Sequence, residues 1–120
     1  MKTILAVDDD ISILETIDFL LTSDGYNVML ASNGEAALEL IKEHWVDIII
    51  LDLRMPIVSG YLFANIFLEY TMNKDIKLMV LSGESLVYGN CEVNIPNISV
   101  KINKPFDPTD FKKEIVKLAK

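Results

Sequence analysis

Residues 47–52 read Asp47-Ile48-Ile49-Ile50-Leu51-Asp52. Four apolar residues in a row, three of them β-branched and an acid at each end, suit a strand buried on both faces. Strands of that kind belong to parallel sheets with helices on either side. The rest of the chain should then alternate similar strands with amphipathic helices, and it does.

Upstream, Ile4-Leu5-Ala6-Val7 is a shorter apolar run ending in acids. Asp10 or Ser12 can cap the helix that follows, where Ile13, Ile17, Leu20 and Leu21 recur at helical spacing. Gly25 ends that helix, and Tyr26 to Ala31 is a second strand. Ser32-Asn33-Gly34 is a turn, and Glu35 to His44 is a helix of good helix formers. Downstream, Met55-Pro56 and Gly60 break the chain before a helical face of Leu62, Phe63, Ile66, Phe67 and Tyr70. Ile76 to Leu81 and Ile98 to Ile102 are the fourth and fifth strands. Asp107-Pro108 is an N-cap with proline at the first helical position, and Phe111, Ile115 and Leu118 form the buried face of the last helix. Alternation of this kind predicts an α/β domain with a parallel sheet and right-handed crossovers. Five strands fit the flavodoxin-like doubly wound order 2-1-3-4-5, whose ligand crevice lies at the carboxyl ends of strands 1 and 3.

Residues 84–97 resist the pattern. A fourth crossover helix is expected there, but Gly89-Asn90 is a turn signal in mid-segment and Pro96 closes it. The expectation is a short or broken helix.

The 120 residues, 51% of them hydrophobic, make one domain, 1–120, with enough apolar surface for a core of its own. One cysteine excludes an internal disulfide. The net charge of −7 argues against direct nucleic-acid binding, which needs a basic patch or stripe. The first apolar stretch is too short for a signal peptide or a membrane span, so the location expected is the cytoplasm, with no membrane partner. Residues 1–60 hold most of the acids, and six of the eleven bases lie between Lys101 and Lys120, which reads as a solvated basic helix. His44 suits a helix C-terminus, Cys91 a small apolar filler, and Trp45 packing at the junction of helix 2 and strand 3.

The chemistry collects at strand ends. Asp8 and Asp9 follow strand 1, Asp52 ends strand 3, Ser82 follows strand 4 and Lys104 follows strand 5. Three carboxylates brought together repel, and desolvation adds to the cost. A hard divalent cation relieves both, and Mg²⁺ favours one or two carboxylates plus waters and phosphate oxygens. A lysine and a hydroxyl beside that metal complete a receptor for a phosphoryl group. A lone acid at a strand end, by contrast, is usually a turn former or cap, and Asp10 is read that way.

The chain resembles the receiver domain of two-component response regulators, of the chemotaxis-regulator kind. The resemblance rests on Val7-Asp8-Asp9, on Leu51-Asp52-Leu53-Arg54-Met55-Pro56 with Gly60, on Val80-Leu81-Ser82-Gly83 and on Lys104-Pro105-Phe106, in family order and spacing. It implies that Asp52 is the phosphoacceptor nucleophile. Asp9 and Asp52 ligate Mg²⁺ directly, Asp8 acts mainly through water, and the backbone carbonyl of Arg54 is a further ligand. Lys104 pairs with a phosphate oxygen, Ser82 hydrogen-bonds another, and Gly83 leaves room for the donor. A cis bond before Pro105 is implied too. The implied donor is a phosphohistidine on a sensor histidine kinase or phosphotransfer protein. The output is an unknown partner or attached domain, or a homodimer formed on phosphorylation. No turnover is implied beyond the domain's own phosphorylation and dephosphorylation.

The chain departs from that family at Lys101, where an aromatic ring usually stands three residues before the site lysine. An ammonium does not bury cheaply. The expectation is that phosphorylation is kept and that the signal leaves by a modified route through 84–97. Two other readings use the same residues. One is a pseudo-receiver, an interaction module that takes no phosphate. The other is a haloacid-dehalogenase-like phosphatase, with Asp8-Asp9-Asp10-Ile11-Ser12 as its nucleophile motif, Asp8 as nucleophile and Asp10 as acid/base. The sequence stops where the fifth helix should end, which suits a stand-alone regulator and a receiver from a longer chain alike.

Overall fold

The computed structural model describes residues 1–52, 60–82, 87–88, 91–92 and 98–120. In chain order the elements are β1 (Thr3–Val7), α1 (Ile11–Ser23), β2 (Asn27–Ala31), α2 (Gly34–Glu43), β3 (Ile48–Asp52) and α3 (Gly60–Tyr70). Then come β4 (Lys77–Ser82), β5 (Val87–Tyr88), β6 (Cys91–Glu92), β7 (Ile98–Asn103) and α4 (Pro108–Leu118). Five strands form a parallel sheet in the order β2-β1-β3-β4-β7. This is the flavodoxin-like doubly wound order expected of the sequence, with β7 as its fifth strand.

The period of two along each central strand builds two cores. Leu5 and Val7 of β1, Ile49 and Leu51 of β3, and Leu78 and Val80 of β4 pack with Ala37 and Ile41 of α2 and Phe63 and Phe67 of α3. Ile4 and Ala6, Ile48 and Ile50, and Met79 and Leu81 take the other face, against α1 and α4. Both faces of β3 are therefore covered, which is why every one of its residues is buried. The Phe63 and Phe67 rings stack with centroids 5.7 Å apart.

Local signals set the helix ends. The Asp10 carboxylate accepts from the Ser12 N–H at 2.9 Å, Asn33 from the Ala36 N–H at 2.8 Å, and Asp107 from the Thr109 N–H at 2.7 Å. At the end of α1, Gly25 adopts φ +91°, and its N–H donates to the Thr22 carbonyl at 3.0 Å. The Tyr26 N–H reaches back to the Leu21 carbonyl at 3.1 Å, completing a Schellman motif. A Cβ on Gly25 meets no atom within 4 Å, so only backbone conformation resists substitution. Gly25→Ala is expected to cost about 1 kcal/mol. Urea denaturation should show it as a lower midpoint at unchanged slope; an unchanged midpoint would contradict the assigned φ.

Two expectations need correction. Where residues 84–97 were expected to form a short or broken helix, the described residues are an antiparallel strand pair, with Val87 opposite Glu92 and Tyr88 opposite Cys91. The two residues between the pair are the Gly89-Asn90 turn signal; they, Pro96 and the rest of that segment lie outside the described residues. The irregularity is as expected, but its described part is extended. β7 supplies a physical reason. Val100 and Ile102 pack on the α1–α4 core, whereas Lys101 pairs with Val80 on the opposite face and is exposed. A crossover helix laid over β7 there would meet an ammonium. β7 also carries an irregularity between its pairings with Leu78 and Met79, where Ser99 Oγ accepts from the Leu78 N–H at 3.3 Å.

The second correction is Trp45, which is 54% exposed, its indole N–H donating to Asp47 Oδ1 at 3.1 Å. Tyr70 ends α3 as expected and is 42% exposed, with the Lys42 ammonium 4.9 Å from its ring centroid. His44 sits at the end of α2 as expected, with Nδ1 3.0 Å from the Leu40 carbonyl. The Cys91 side chain lies outside the described residues. No described helix is long and apolar enough to cross a membrane.

Candidate phosphoacceptor site

β1 and β3 lie side by side, with Val7 opposite Leu51, so the next residue of each, Asp8 and Asp52, emerges at the same level. Asp8 is held twice. Its N–H donates to the Ala31 carbonyl at 3.1 Å, and its Oδ1 accepts from the Asp10 N–H at 2.9 Å. It is completely buried, Asp52 is 5% exposed, and Asp9 faces solvent. Asp8, Asp9 and Asp52 each offer a carboxylate oxygen, all within 4.8 Å of one another.

Lys104 comes to this group from the end of β7. Its Nζ lies 2.9 Å from Asp8 Oδ2 and 3.3 Å from Asp52 Oδ2. The Lys104–Pro105 peptide bond is cis, as the family resemblance implies. Burial works against the Lys104 ammonium, but its hydrogen bond to Asp8 and the charges of Asp52 and Asp8 outweigh that, and its pKa lies above the ordinary lysine value. For Asp8 burial is the largest influence and raises the carboxyl pKa. The hydrogen bonds from Asp10 and Lys104 pull it down without cancelling the rise.

Three carboxylates against one ammonium make an acid-rich group that a divalent cation would balance. Oxygen-only donors, two of them shielded from water and one open to it, suit a hard cation that keeps part of its water shell. Asp10 is exposed, and its carboxylate caps α1. It is thus tied to the start of the helix, where the phosphatase reading needs an acid/base.

The structure brings Asp8, Asp9, Asp52 and Lys104 together beyond the carboxyl ends of the strands. Ser82 ends β4 opposite Asn103, the residue before Lys104, which puts its backbone at the same rim. Arg54 and Gly83 lie outside the described residues. Two features were not read from sequence. One is that the shortest contact of Lys104 is with Asp8. The other is the stacking of Phe106 on Phe111, with centroids 4.8 Å apart. The signal for the second was available: Phe106 follows Lys104-Pro105, and Phe111 lies on the buried face of the last helix.

Comparison with known proteins agrees with this geometry. A family model described as "Response regulator receiver domain" matches residues 4–116. The chain is 32% identical over 112 residues to a probable transcriptional regulator ycf27 of Cyanidium caldarium, covering 93% of this chain and 44% of that protein. It is 28% identical over 114 residues to the phosphate regulon transcriptional regulatory protein PhoB of Klebsiella pneumoniae, covering 92% and 48%. It thus spans about half the length of the curated relatives it matches. Among solved structures, the Vibrio cholerae chemotaxis protein CheY4 superposes with TM-score 0.84 at 27% identity, covering 98% of each chain. The Thermotoga maritima response regulator TrrA, in complex with Mg²⁺ and BeF, superposes with TM-score 0.83 at 31% identity, covering 98% of this chain and 99% of that one. With its sheet order, its acid group and its family match in agreement, the chain belongs to the response regulator receiver domain family of two-component signalling.

Proposed function

We propose that Asp52 is the phosphoacceptor of this receiver domain and that it works with a bound Mg²⁺. The observation that carries the reading is the convergence of Asp8, Asp9 and Asp52 with Lys104 placed between the two buried carboxylates. In this reading Asp9 and Asp52 would hold the metal directly, Asp8 would act mainly through water, and the Arg54 carbonyl would be a further ligand. The metal would supply charge neutralisation for the transferring phosphoryl group. An Asp52 oxygen attacks phosphorus, and the bond from phosphorus to the donor breaks, leaving an aspartyl phosphate. Lys104 turns its ammonium to a phosphoryl oxygen, and the Ser82 hydroxyl bonds another. Positioning and charge neutralisation do most of the work in such transfers.

The proposed donor is a phosphohistidine on a sensor histidine kinase or phosphotransfer protein. The phosphate then biases an output partner, an attached domain or a second copy. The setting is the cytoplasm, residues 1–120 act as one receiver domain, and no chemistry runs beyond its own phosphorylation and dephosphorylation.

Calorimetric titration with Mg²⁺ tests the metal half of this proposal. One ion should bind per chain, and Asp9→Asn should weaken binding. Because burial raises the Asp8 carboxyl pKa, protons should compete with the metal from a pH above the usual aspartate range, so affinity falls as pH drops. Equal affinity in wild type and Asp9→Asn would remove the metal from the proposal.

A further inference from the structure

A groove lined by Ile13, Thr16, Lys104, Pro105, Phe106 and Pro108 borders the segment that carries Lys104. The place of the Lys104 ammonium is set by its contacts with Asp8 and Asp52, at 2.9 and 3.3 Å, and by the backbone from which its stem springs. Once those carboxylates turn to a divalent cation, the backbone carries more of that task.

That backbone is anchored through the ring two residues on. Phe106 stacks on Phe111 at an interplanar angle of 25° and a centroid distance of 4.8 Å. Phe111 is fully buried, in the cluster that also holds Ile4 and Ala6 of β1 and Ile48 and Ile50 of β3. These are the strands that end at Asp8 and Asp52. Between the two rings, Asp107 caps α4 through the Thr109 and Asp110 N–H groups, at 2.7 and 3.3 Å. One aromatic pair thus ties the segment carrying the ammonium to the strands carrying the carboxylates.

We propose that Phe111 is a positioning residue: through Phe106, its ring fixes where Lys104 stands relative to Asp8 and Asp52, and so governs the rate of phosphoryl uptake. This rests on the phosphoacceptor reading above. Phe111→Leu keeps an apolar side chain and removes the ring. The comparison variant is Ile115→Ala, which opens space in the same core one turn further along α4 and keeps both rings. Melting curves of both variants establish that they are folded before they are compared.

The experiment reads two quantities for wild type and both variants. The first is phosphoryl uptake from acetyl phosphate across its concentration range, with Mg²⁺ affinity measured alongside. Phe111→Leu should lower the maximal rate about tenfold or more, as small misplacements of a reacting group do. The half-saturating donor concentration and the Mg²⁺ affinity should stay unchanged. The second is protection of Lys104 from an amine-directed reagent, read by peptide mass without any phosphodonor. Phe111→Leu should lose protection severalfold, and Ile115→Ala should keep it. Equal protection in all three folded proteins, or equal loss in both variants, would overturn the positioning role. If wild type takes up no phosphoryl group, the phosphoacceptor reading fails, and Lys104 protection still decides whether Phe111 positions it.

Discussion

Lys104→Met should slow phosphoryl uptake about a hundredfold or more, the usual cost of removing one preorganised charge partner from a transferring group. The same change should destabilise the metal-free protein. Lys104 Nζ lies 2.9 Å from a fully buried Asp8 and 3.3 Å from an Asp52 that is 5% exposed. Methionine fills much the same volume but leaves two close carboxylates without the ammonium between them. Breaking a buried pair from one side costs about 3–5 kcal/mol, although protonation of Asp8 caps the loss. The sign with pH follows. Asp8 already has a raised carboxyl pKa, and losing the ammonium raises it further. A group with a raised folded pKa favours the folded state below that pKa and loses the contribution as pH rises through it. The stability deficit of Lys104→Met should thus shrink on acidification through the Asp8 pKa and grow towards neutral pH. Mg²⁺ should also recover much of it at neutral pH. Chemical denaturation at two pH values, with and without Mg²⁺, reads all of this. A deficit independent of both would mean that Lys104 matters for packing and not for charge.

Asp52→Asn should reduce phosphoryl uptake to background while leaving the fold intact. The amide keeps the shape of the side chain but offers no anionic oxygen to attack phosphorus. Asp8, in contact with Lys104 at 2.9 Å, retains its partner, and one of the mutually repelling charges is gone. Metal-free stability should therefore stay within about 1 kcal/mol of wild type or rise, because Lys104 keeps its closer partner Asp8 when the 3.3 Å contact with Asp52 loses its charge. Mg²⁺ affinity should fall with the loss of a ligand. Melting curves and intact mass check both halves. This variant also separates the competing readings, because a phosphatase using Asp8 as its nucleophile keeps turning over without Asp52. Continued phosphoryl uptake at wild-type rate would move the nucleophile elsewhere.

Most of the fold was legible because β1, β3 and β4 are short apolar runs whose alternate residues serve opposite cores. Ile48 and Ile50 face α1 and α4, while Ile49 and Leu51 face α2 and α3. Short apolar runs bounded by acids or turn residues suit strands buried on both sides. The caps at Asp10 and Asp107 were legible because a short polar side chain before an amphipathic run satisfies the first free N–H groups, whereas Asn33, read only as part of a turn, caps α2. The misreadings fall in connections. Trp45 stands between α2 and β3, where it is 54% exposed and its N–H finds Asp47. Residues 84–97 combined a helix expected from topology with a turn signal, and the residues described there follow the turn signal. The acid group at the site was legible because each member follows a strand. That Lys104 bonds Asp8 most closely was not, because it depends on side-chain placement across 96 residues of sequence separation.

The most direct measurement is the intact mass of the wild-type protein after incubation with acetyl phosphate, with and without Mg²⁺, followed by peptide mapping. A gain of one phosphoryl group is expected only when Mg²⁺ is present, on the peptide containing Asp52. A gain that persists without Mg²⁺, a gain that maps to another residue, or no gain from either acetyl phosphate or a phosphohistidine donor would contradict it.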